Sequence, residues 1–491
     1  MTTRRAFILG SAAVAGGVAV GVVLHREGRG SVQPPLEPGQ VAITPYVIVD
    51  AEGIALISPR AEMGQGIQTT LAALVAEELD VDFDAIHVRH GPASELYAND
   101  IMYGTGPRPF WKRRPHRPRQ ATGGQTSIRD GFVKMRKAGA AARMMLLEAA
   151  SRTHDLPVEE LSTRMGSVVH TSGRAFSYAS LAAVAATLPA PADPPLKPRS
   201  EWRLLGTSLP RADMVEKCTG TAEYGIDVRL PDMLHATVRR NPRLGGTMTS
   251  FDATQALSAP GVSDIVSLRD GVIVIASNTW YAMRAVDLIE FDWGPAPYPD
   301  TTAEHEAIVL STMERGPAFD ALERGNVDSS LDAGQVISGE YRVPFLAHAP
   351  LEPMNATAWL RDGRLDIWAG NQFPDLAVEV GAKLTGLARD AVRVHTTYMG
   401  GAFGRRFEMD DVEAAVRAAM ATPGRPVKVT YSRGEDLTHD AYRPMAMARF
   451  RATIAEGKPQ ALDLELASPS LQLSGGRRMH RMIGRPYGET R

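Results

Sequence analysis

Apolar positions along this chain follow two periods, and the switch between them recurs around short glycine-rich runs. Val392, Val394 and Thr396 alternate as in a strand, while Val412, Ala415, Val416 and Ala419 take the i, i+3, i+4, i+7 spacing of a helix face. The pattern predicts a strand from Ala391 to Tyr398 and a helix from Glu408 to Met420, joined by Met399-Gly400-Gly401-Ala402-Phe403-Gly404-Arg405-Arg406. Two further loops repeat this layout. Glu62-Met63-Gly64-Gln65-Gly66 precedes a face of Ile67, Leu71, Leu74 and Val75, and Thr122-Gly123-Gly124-Gln125-Thr126-Ser127 precedes an alanine-rich helix from Phe132 to Ala150.

Backbone N–H groups at a helix start can hold an anion, so three such loops predict a large, polyanionic ligand. Glycine also ends strands and permits tight turns, and any single loop reads equally well as structural. None matches G-x-G-x-x-G in an early βαβ unit and no G-x-x-x-x-G-K-[ST] occurs, which disfavours the Rossmann and P-loop readings.

The same reading predicts strands at Asp264–Leu268 and Val272–Ala276, a helix at Trp280–Leu288 and a hairpin turning at Arg361-Asp362-Gly363. A helix near Leu376–Leu384 and a strand at Pro426–Tyr431 follow, giving a mixed α+β, multi-domain chain. Residues 187–204, proline-rich, read as a linker between a segment at 41–186 and a mixed unit at 205–293, with a last segment at 339–491. The arginine-rich stretch from Gly475 reads as a tail. Pro107–Arg119 holds six Lys or Arg and four Pro in 13 residues. An exposed loop, a docking patch for an acidic partner and a local reading-frame disturbance are its three readings.

At 491 residues and 44% hydrophobic the chain can bury several cores, and its net charge of −2 gives no reason to expect nucleic acid as a partner. One cysteine, Cys218, excludes a disulfide framework and any Cys-ligated zinc or iron–sulfur cluster, and it reads as a small buried apolar residue. Arg4-Arg5 followed by an uncharged run to Leu24 looks like a twin-arginine export signal within residues 1–30, with an uncleaved anchor as the alternative. That places the expected location at the periplasm or the periplasmic face of the inner membrane.

Several segments together resemble one family. They are Glu62-Met63-Gly64-Gln65-Gly66; Arg211-Ala212-Asp213 with Lys217, Thr219-Gly220, Tyr224 and Asp227; His348 with Leu351-Glu352-Pro353; Gly400 to Arg406; and Ser432 to Asp436 with Tyr442-Arg443-Pro444. The chain resembles the molybdopterin-binding large subunits of the xanthine dehydrogenase and aldehyde oxidase superfamily, particularly the isoquinoline 1-oxidoreductase beta-subunit type, in which the Met-Gly-Gln-Gly segment is early. The resemblance implies an α/β hammerhead-like module at 205–293 inserted between two molybdopterin-binding segments. It implies a molybdenum ion held by the pterin dithiolene, with a cytosine dinucleotide form and no metal ligand from the protein. Gly64, Gln65 and Gly66 would meet the pterin or pyrophosphate; Gly123, Gly124, Gln125, Thr126 and Ser127 would wrap phosphates; Gly400, Gly401, Phe403, Gly404 and Arg405 would lie over the metal face.

By the same resemblance Arg443 would orient substrate, while His348 and Glu352 would line its pocket. Each also has a plain structural reading, Arg443 in a surface ion pair and the other two in a buried turn. Arg211, Asp213 and Lys217 read as an internal salt-bridge network. The family oxidises an N-heteroaromatic or aldehyde with oxygen from water and passes electrons to a small [2Fe–2S] subunit, from which a cytochrome c-type protein is the implied acceptor. The general-base glutamate of the family's Gly-x-Gly-Glu segment is absent from this chain, so a truncated, catalytically silent relative stands as the alternative.

Overall fold

The computed structural model describes residues 36–482 apart from 51–52, 104–117, 318 and 333–334. The expected export signal and most of the basic 107–119 segment lie outside the described residues. Among the described residues no helix is long and apolar enough to cross a membrane. Helices and sheets are mixed throughout, and the fold is α+β. The chain forms two compact units, Met1–Met233 with Asn355–Val429, and Leu234–Met354 with Thr430–Arg491.

In the first unit, strand Ile54–Ser58 pairs antiparallel with Val47–Val49 and parallel with Ile86–His90. A parallel pair needs a crossover, and helix Ile67–Leu79 supplies it. Its Leu71, Leu74, Val75 and Leu79 are at most 1% exposed because helix Ser127–His154 covers them. Glycines let the two helices close. A Cβ on Gly131 would fall 2.7 Å from the Leu71 side chain, and one on Gly139 would fall 2.8 Å from the Val75 carbonyl. These contacts advance in the same direction along both helices, so the helices run in the same sense and their starts lie at the same end.

The second half of this unit repeats the logic. Asn355–Arg361 and Arg364–Ala369 form a hairpin whose turn residues Asp362 and Gly363 both have positive φ, 49° and 71°, as a two-residue turn between twisted strands requires. Arg364–Ala369 then pairs parallel with Val392–Thr396, and helix Pro374–Thr385 makes the crossover with a proline in its first turn. The third glycine loop follows and leads into helix Asp410–Ala421.

Residues 187–204 do not behave as a linker. The carboxylate of Glu77, on the buried helix, accepts backbone N–H groups of Arg203, Leu204 and Leu205 at 2.8, 2.6 and 3.1 Å. Glu78 accepts that of Lys197 at 3.1 Å, and the Lys197 ammonium pairs with Asp80. Buried carboxylates need donors, and a proline-extended chain presents its remaining N–H groups outward to meet them. Cys218 is exposed, because helix Met214–Thr219 buries none of its residues.

The second unit holds the antiparallel strands Leu234–Arg240, Gly271–Ala276 and Val262–Leu268, with helix Thr279–Val286 beside them. Val336–Val343, Ala446–Ala455 and Lys458–Ala467 make another antiparallel sheet. Met447 and Ala467 of this sheet pack on Val309 and Met313 of helix Thr302–Glu314, whereas Tyr341, Leu462, Leu464 and Leu466 point to solvent. Where a tail was expected, Leu471–Met482 is a helix. Arginine, leucine and methionine are good helix formers, so weak apolar patterning there did not mean the lack of a helix.

Candidate functional site

All three glycine loops meet at one end of the first unit. The Ala61 N–H donates to the Thr122 hydroxyl at 2.9 Å, joining the first loop to the second. The Met399 N–H donates to the Glu62 carbonyl at 3.3 Å, joining the third to the first. Gln372 joins the second to the third: its side-chain amide donates to the Thr122 carbonyl at 2.9 Å and accepts the Gly404 N–H at 3.2 Å. Its backbone continues the clasp, donating to the Arg406 carbonyl at 2.9 Å and accepting from the Thr122 N–H at 2.8 Å. A Cβ on Gly123 would stand 2.9 Å from the Phe407 ring, so only glycine lets the second loop reach the third.

The first loop is not a free cradle of N–H groups. The fully buried carboxylate of Glu62 accepts the backbone N–H of Gly64 and of Gly66, both at 2.9 Å, and that of Gln68 at 3.1 Å. A carboxylate from the chain thus stands where a ligand's anion was expected, at the start of helix Ile67–Leu79. Gln65 also turns inward, accepting from the Met63 N–H at 2.7 Å and donating to the Ala61 carbonyl at 3.0 Å. Arg211 closes this loop from outside, donating to the Gly64 carbonyl at 2.9 Å and to Glu62 at 3.3 Å.

In the second loop the Thr122 and Thr126 N–H groups are already bonded, to the Gln372 carbonyl at 2.8 Å and the Gly123 carbonyl at 3.2 Å. Thr126 occupies the N-cap of helix Ser127–His154 but makes no side-chain cap; its hydroxyl donates to the Gly123 carbonyl at 2.7 Å and accepts from Asn99 at 2.7 Å. Gly124 and Gln125 are exposed with left-handed φ of 59° and 51°. Asp130, in the first helical turn, would repel an anion, but the buried Arg60 guanidinium and the Lys134 ammonium neutralise it. The helix start at 62–66, by contrast, is already occupied by the Glu62 carboxylate.

In the third loop both arginines are consumed by the fold. Arg405, 1% exposed and expected among the ligand contacts, makes a bidentate pair with Asp410 at 2.7 and 2.9 Å. Arg406, fully buried, donates to the carbonyls of Gly401 and Gly370 at 3.0 and 3.3 Å. Their burial rigidifies the loop and leaves Phe403 as its exposed side chain, 73% accessible.

Behind the first loop lies a small cavity lined by Ser58, Arg60, His90, Gln120 and Thr122, among others. His90 was not anticipated from the sequence. Its Nε2 accepts the Glu62 N–H at 3.1 Å, which puts the ring proton on Nδ1, and burial with the nearby Lys217 charge pushes its pKa down to about 4. Arg211, Asp213 and Lys217 do form an ion-pair network, with Asp213 2.6 Å from Arg211 and 2.5 Å from Lys217. Burial would raise the Asp213 carboxyl, but these hydrogen bonds and charges outweigh it and bring it down to about 2. Gln372, the residue that ties two loops together, was missed as well. Its signal was positional: Gly370 to Phe373 also lies between a strand and a helix, without the run of glycines.

His348, Glu352 and Arg443 belong to the second unit. The His348 Nδ1 lies 2.9 Å from Asp440, whose other oxygen accepts the His348 N–H at 2.6 Å, and Asp440 is 1% exposed. Arg443 bridges Leu346 through reciprocal backbone hydrogen bonds, and its guanidinium donates to the Pro344 carbonyl at 2.5 Å. Glu352 is 8% exposed beside Leu351, which is 89% exposed. Ala349, next to His348 in the same turn, has a left-handed φ of 45°. Asp440 therefore holds a contorted turn in place. Among the described residues no cluster of three or more His, Cys, Asp or Glu side chains could hold a metal ion.

Models of molybdopterin cofactor-binding domains match residues 11–106 and 312–470 of the chain. The chain is 30% identical to the beta subunit of isoquinoline 1-oxidoreductase from Brevundimonas diminuta, over 94% of this chain and 63% of that one. It is 29% identical to a membrane-bound aldehyde dehydrogenase (pyrroloquinoline-quinone) of Gluconacetobacter polyoxogenes, over 88% of this chain and 56% of that one. To a nicotinate dehydrogenase subunit of Pseudomonas putida it is 30% identical, over 89% of this chain and 37% of that one. The chain spans less than two thirds of the length of each of these relatives.

Proposed function

We propose that this chain, which belongs to the molybdopterin-binding large subunits of the xanthine dehydrogenase and aldehyde oxidase superfamily, of the isoquinoline 1-oxidoreductase beta-subunit type, serves as the cofactor-binding portion of a molybdenum hydroxylase. The reaction is oxidation of an N-heteroaromatic or aldehyde with oxygen from water, and the electrons leave through a separate small [2Fe–2S] subunit. The observation that carries this reading is the convergence of three separated loops through Thr122, Gln372 and Glu62.

The residues fit the cofactor class in a particular way. The backbone of Gly124, Gln125 and Ser127 would hold its phosphates, and Gly404, with Phe403 beside it, stands over the same end of the unit. Glu62 binds no ligand in this reading; it fixes the first loop and holds its amides away from solvent. When bound, the molybdopterin supplies the two-electron oxidation of the substrate carbon. On the second unit, Arg443, the His348 imidazole oriented by Asp440, and Glu352 are the residues we assign to substrate.

Names of the relatives support two substrate classes, N-heteroaromatics such as isoquinoline and nicotinate, and aldehydes. The cytosine dinucleotide form of the cofactor and a cytochrome c-type acceptor belong to the same reading. Arg4-Arg5 with the uncharged run after it supports twin-arginine export, which carries proteins already folded around their cofactor. A second reading is cofactor binding without turnover.

The test is metal and pterin analysis of the chain purified after coexpression with a small [2Fe–2S] subunit and the maturation factors. Stoichiometric molybdenum and pterin are expected, and their absence refutes the proposal. Turnover of isoquinoline or an aldehyde by that preparation separates the first reading from the second.

A further inference from the structure

Three antiparallel strands of the second unit, Val336–Val343, Ala446–Ala455 and Lys458–Ala467, divide their side chains sharply between two faces. On one face the register sets Ile337 beside Ala452 and Leu462, Gly339 beside Phe450 and Leu464, and Tyr341 beside Ala448 and Leu466. None of these nine residues carries a charge. On the other face Ser338, Arg451 and Asp463 make one row and Glu340, Arg449 and Glu465 the next, with ion pairs from Arg451 to Asp463 at 2.6 Å and from Arg449 to Glu340 at 2.7 Å. That face continues into Met447 and Ala467, on which helix Thr302–Glu314 packs.

A sheet with one face in water puts its polar residues there. This one does the reverse: Leu462, Leu464 and Leu466 are 56, 57 and 70% exposed and Tyr341 is 65% exposed, while the charges lie on the side where the helix packs. The exposed apolar area is on the order of 600 Å², the upper end of what a monomer leaves open. With a rim it approaches the about 800 Å² per partner of a standard interface. Its relief is also self-complementary. The three leucines make a ridge along a strand at the edge of the sheet. Beside the ridge, Ala448 and Ala452 make a trough, because the Phe450 ring leans away over Gly339, where a Cβ would stand 2.6 Å from it, and lies parallel to the Tyr341 ring at 5.9 Å.

We propose that this face is the contact between two copies of the chain, packed sheet on sheet about a two-fold axis, with the leucine ridge of each copy in the alanine trough of the other. A two-fold contact sets one surface against itself, so charges on it would meet their like; this face has none. Stacked sheets lie about 10 Å apart with their inner side chains interdigitated, which a ridge beside a trough permits. The contact uses the second unit alone and is independent of what the glycine loops bind.

The experiment is sedimentation velocity on the full chain over a wide range of concentration, with circular dichroism of every variant to show that it is folded. The parent is expected to sediment as a monomer–dimer equilibrium, with a thermal midpoint that rises with concentration. Leu464→Glu puts a charge into the ridge at a site exposed in the monomer, and is expected to weaken the dimer by roughly 100-fold or more. Ala452→Leu fills the trough and is expected to weaken it by roughly 5- to 150-fold, whereas an unspecific apolar surface would associate more tightly with the added leucine. Glu465→Gln, on the charged face, is expected to leave the equilibrium unchanged. A parent that stays monomeric throughout overturns the proposal, as does a dimer that Leu464→Glu leaves intact or one that Ala452→Leu tightens. Growth beyond the dimer marks an open head-to-tail contact and overturns it too. Coexpression with a small [2Fe–2S] subunit is run in parallel: a one-to-one complex that Leu464→Glu abolishes assigns the face to that partner and not to a second copy.

Discussion

Acid should dismantle the first glycine loop through a single imidazole. His90 is half-buried, its Nε2 accepts the Glu62 N–H at 3.1 Å, and the Gln68 side-chain amide lies 3.1 Å from the same nitrogen. A proton on Nε2 would set a donor against donors. Burial, followed by the Lys217 charge, lowers the pKa from 6.5 to about 4. Between these values the unfolded chain takes up the proton and the folded chain does not. The stability contributed by a neutral His90 is therefore complete above pH 6.5 and is lost as the pH falls toward 4, by about 3 kcal/mol at 1.36 kcal/mol per unit. His90→Gln keeps a carbonyl that can accept the Glu62 N–H and carries no titrating group. Urea unfolding of both proteins at pH 7, 5.5 and 4 is expected to show the parent losing about 3 kcal/mol more than the variant across that range. Equal losses, or an NMR titration of the His90 ring near 6.5, would refute the reasoning.

Three further outcomes are expected. Glu62→Gln replaces an acceptor oxygen with a second donor facing the Gly64, Gly66 and Gln68 N–H groups, and should cost about 2 kcal/mol; an unchanged thermal midpoint and unchanged protease resistance at the loop would count against the assignment. Gln372→Ala cuts the side-chain clasp between the second and third loops, so pterin retention is expected to fall along with about 2 kcal/mol of stability, measured by pterin release on gel filtration. Glu435 behaves oppositely to His90. Burial raises its carboxyl from 4.5 to about 7, against the opposing hydrogen bond from the Arg240 N–H. Its contribution is full below pH 4.5 and lost as pH rises through 7, and Glu435→Gln should gain about 3 kcal/mol on the parent over that range, read from urea unfolding at pH 4.5 and 7.5.

Much of the first unit was legible because the signals were local. Alternation at Val392, Val394 and Thr396 and the helical spacing from Val412 to Ala419 placed the third loop to within a few residues of its observed bounds, Val392–Thr396 and Asp410–Ala421. Arg211, Asp213 and Lys217 were readable as a network because i, i+2 and i, i+4 neighbours near a turn can meet whatever lies around them. Other features depended on contacts that no window along the chain contains. Gln372 meets Thr122 across 250 residues, and its role could not be read from Gly370 to Phe373 alone. The proline-rich stretch at 187–204 has the composition of a linker, yet Glu77 and Glu78 on a buried helix recruit its N–H groups. Cys218 was expected inside, because cysteine usually is, but its short helix has no buried face.

Periodicity and glycine placement, then, determined the elements and the positions of the three loops, since backbone chemistry is fixed by residue type over a few neighbours. Only the tertiary structure decided which of those loops still has amides to offer. The Glu62 carboxylate fills the first, the second turns both the hydroxyl and the N–H of Thr126 onto Gly123, and the third spends both arginines on its own rigidity. A buried donor is satisfied by whichever acceptor packing brings to it, and which partners packing brings together follows from contacts far apart in the chain.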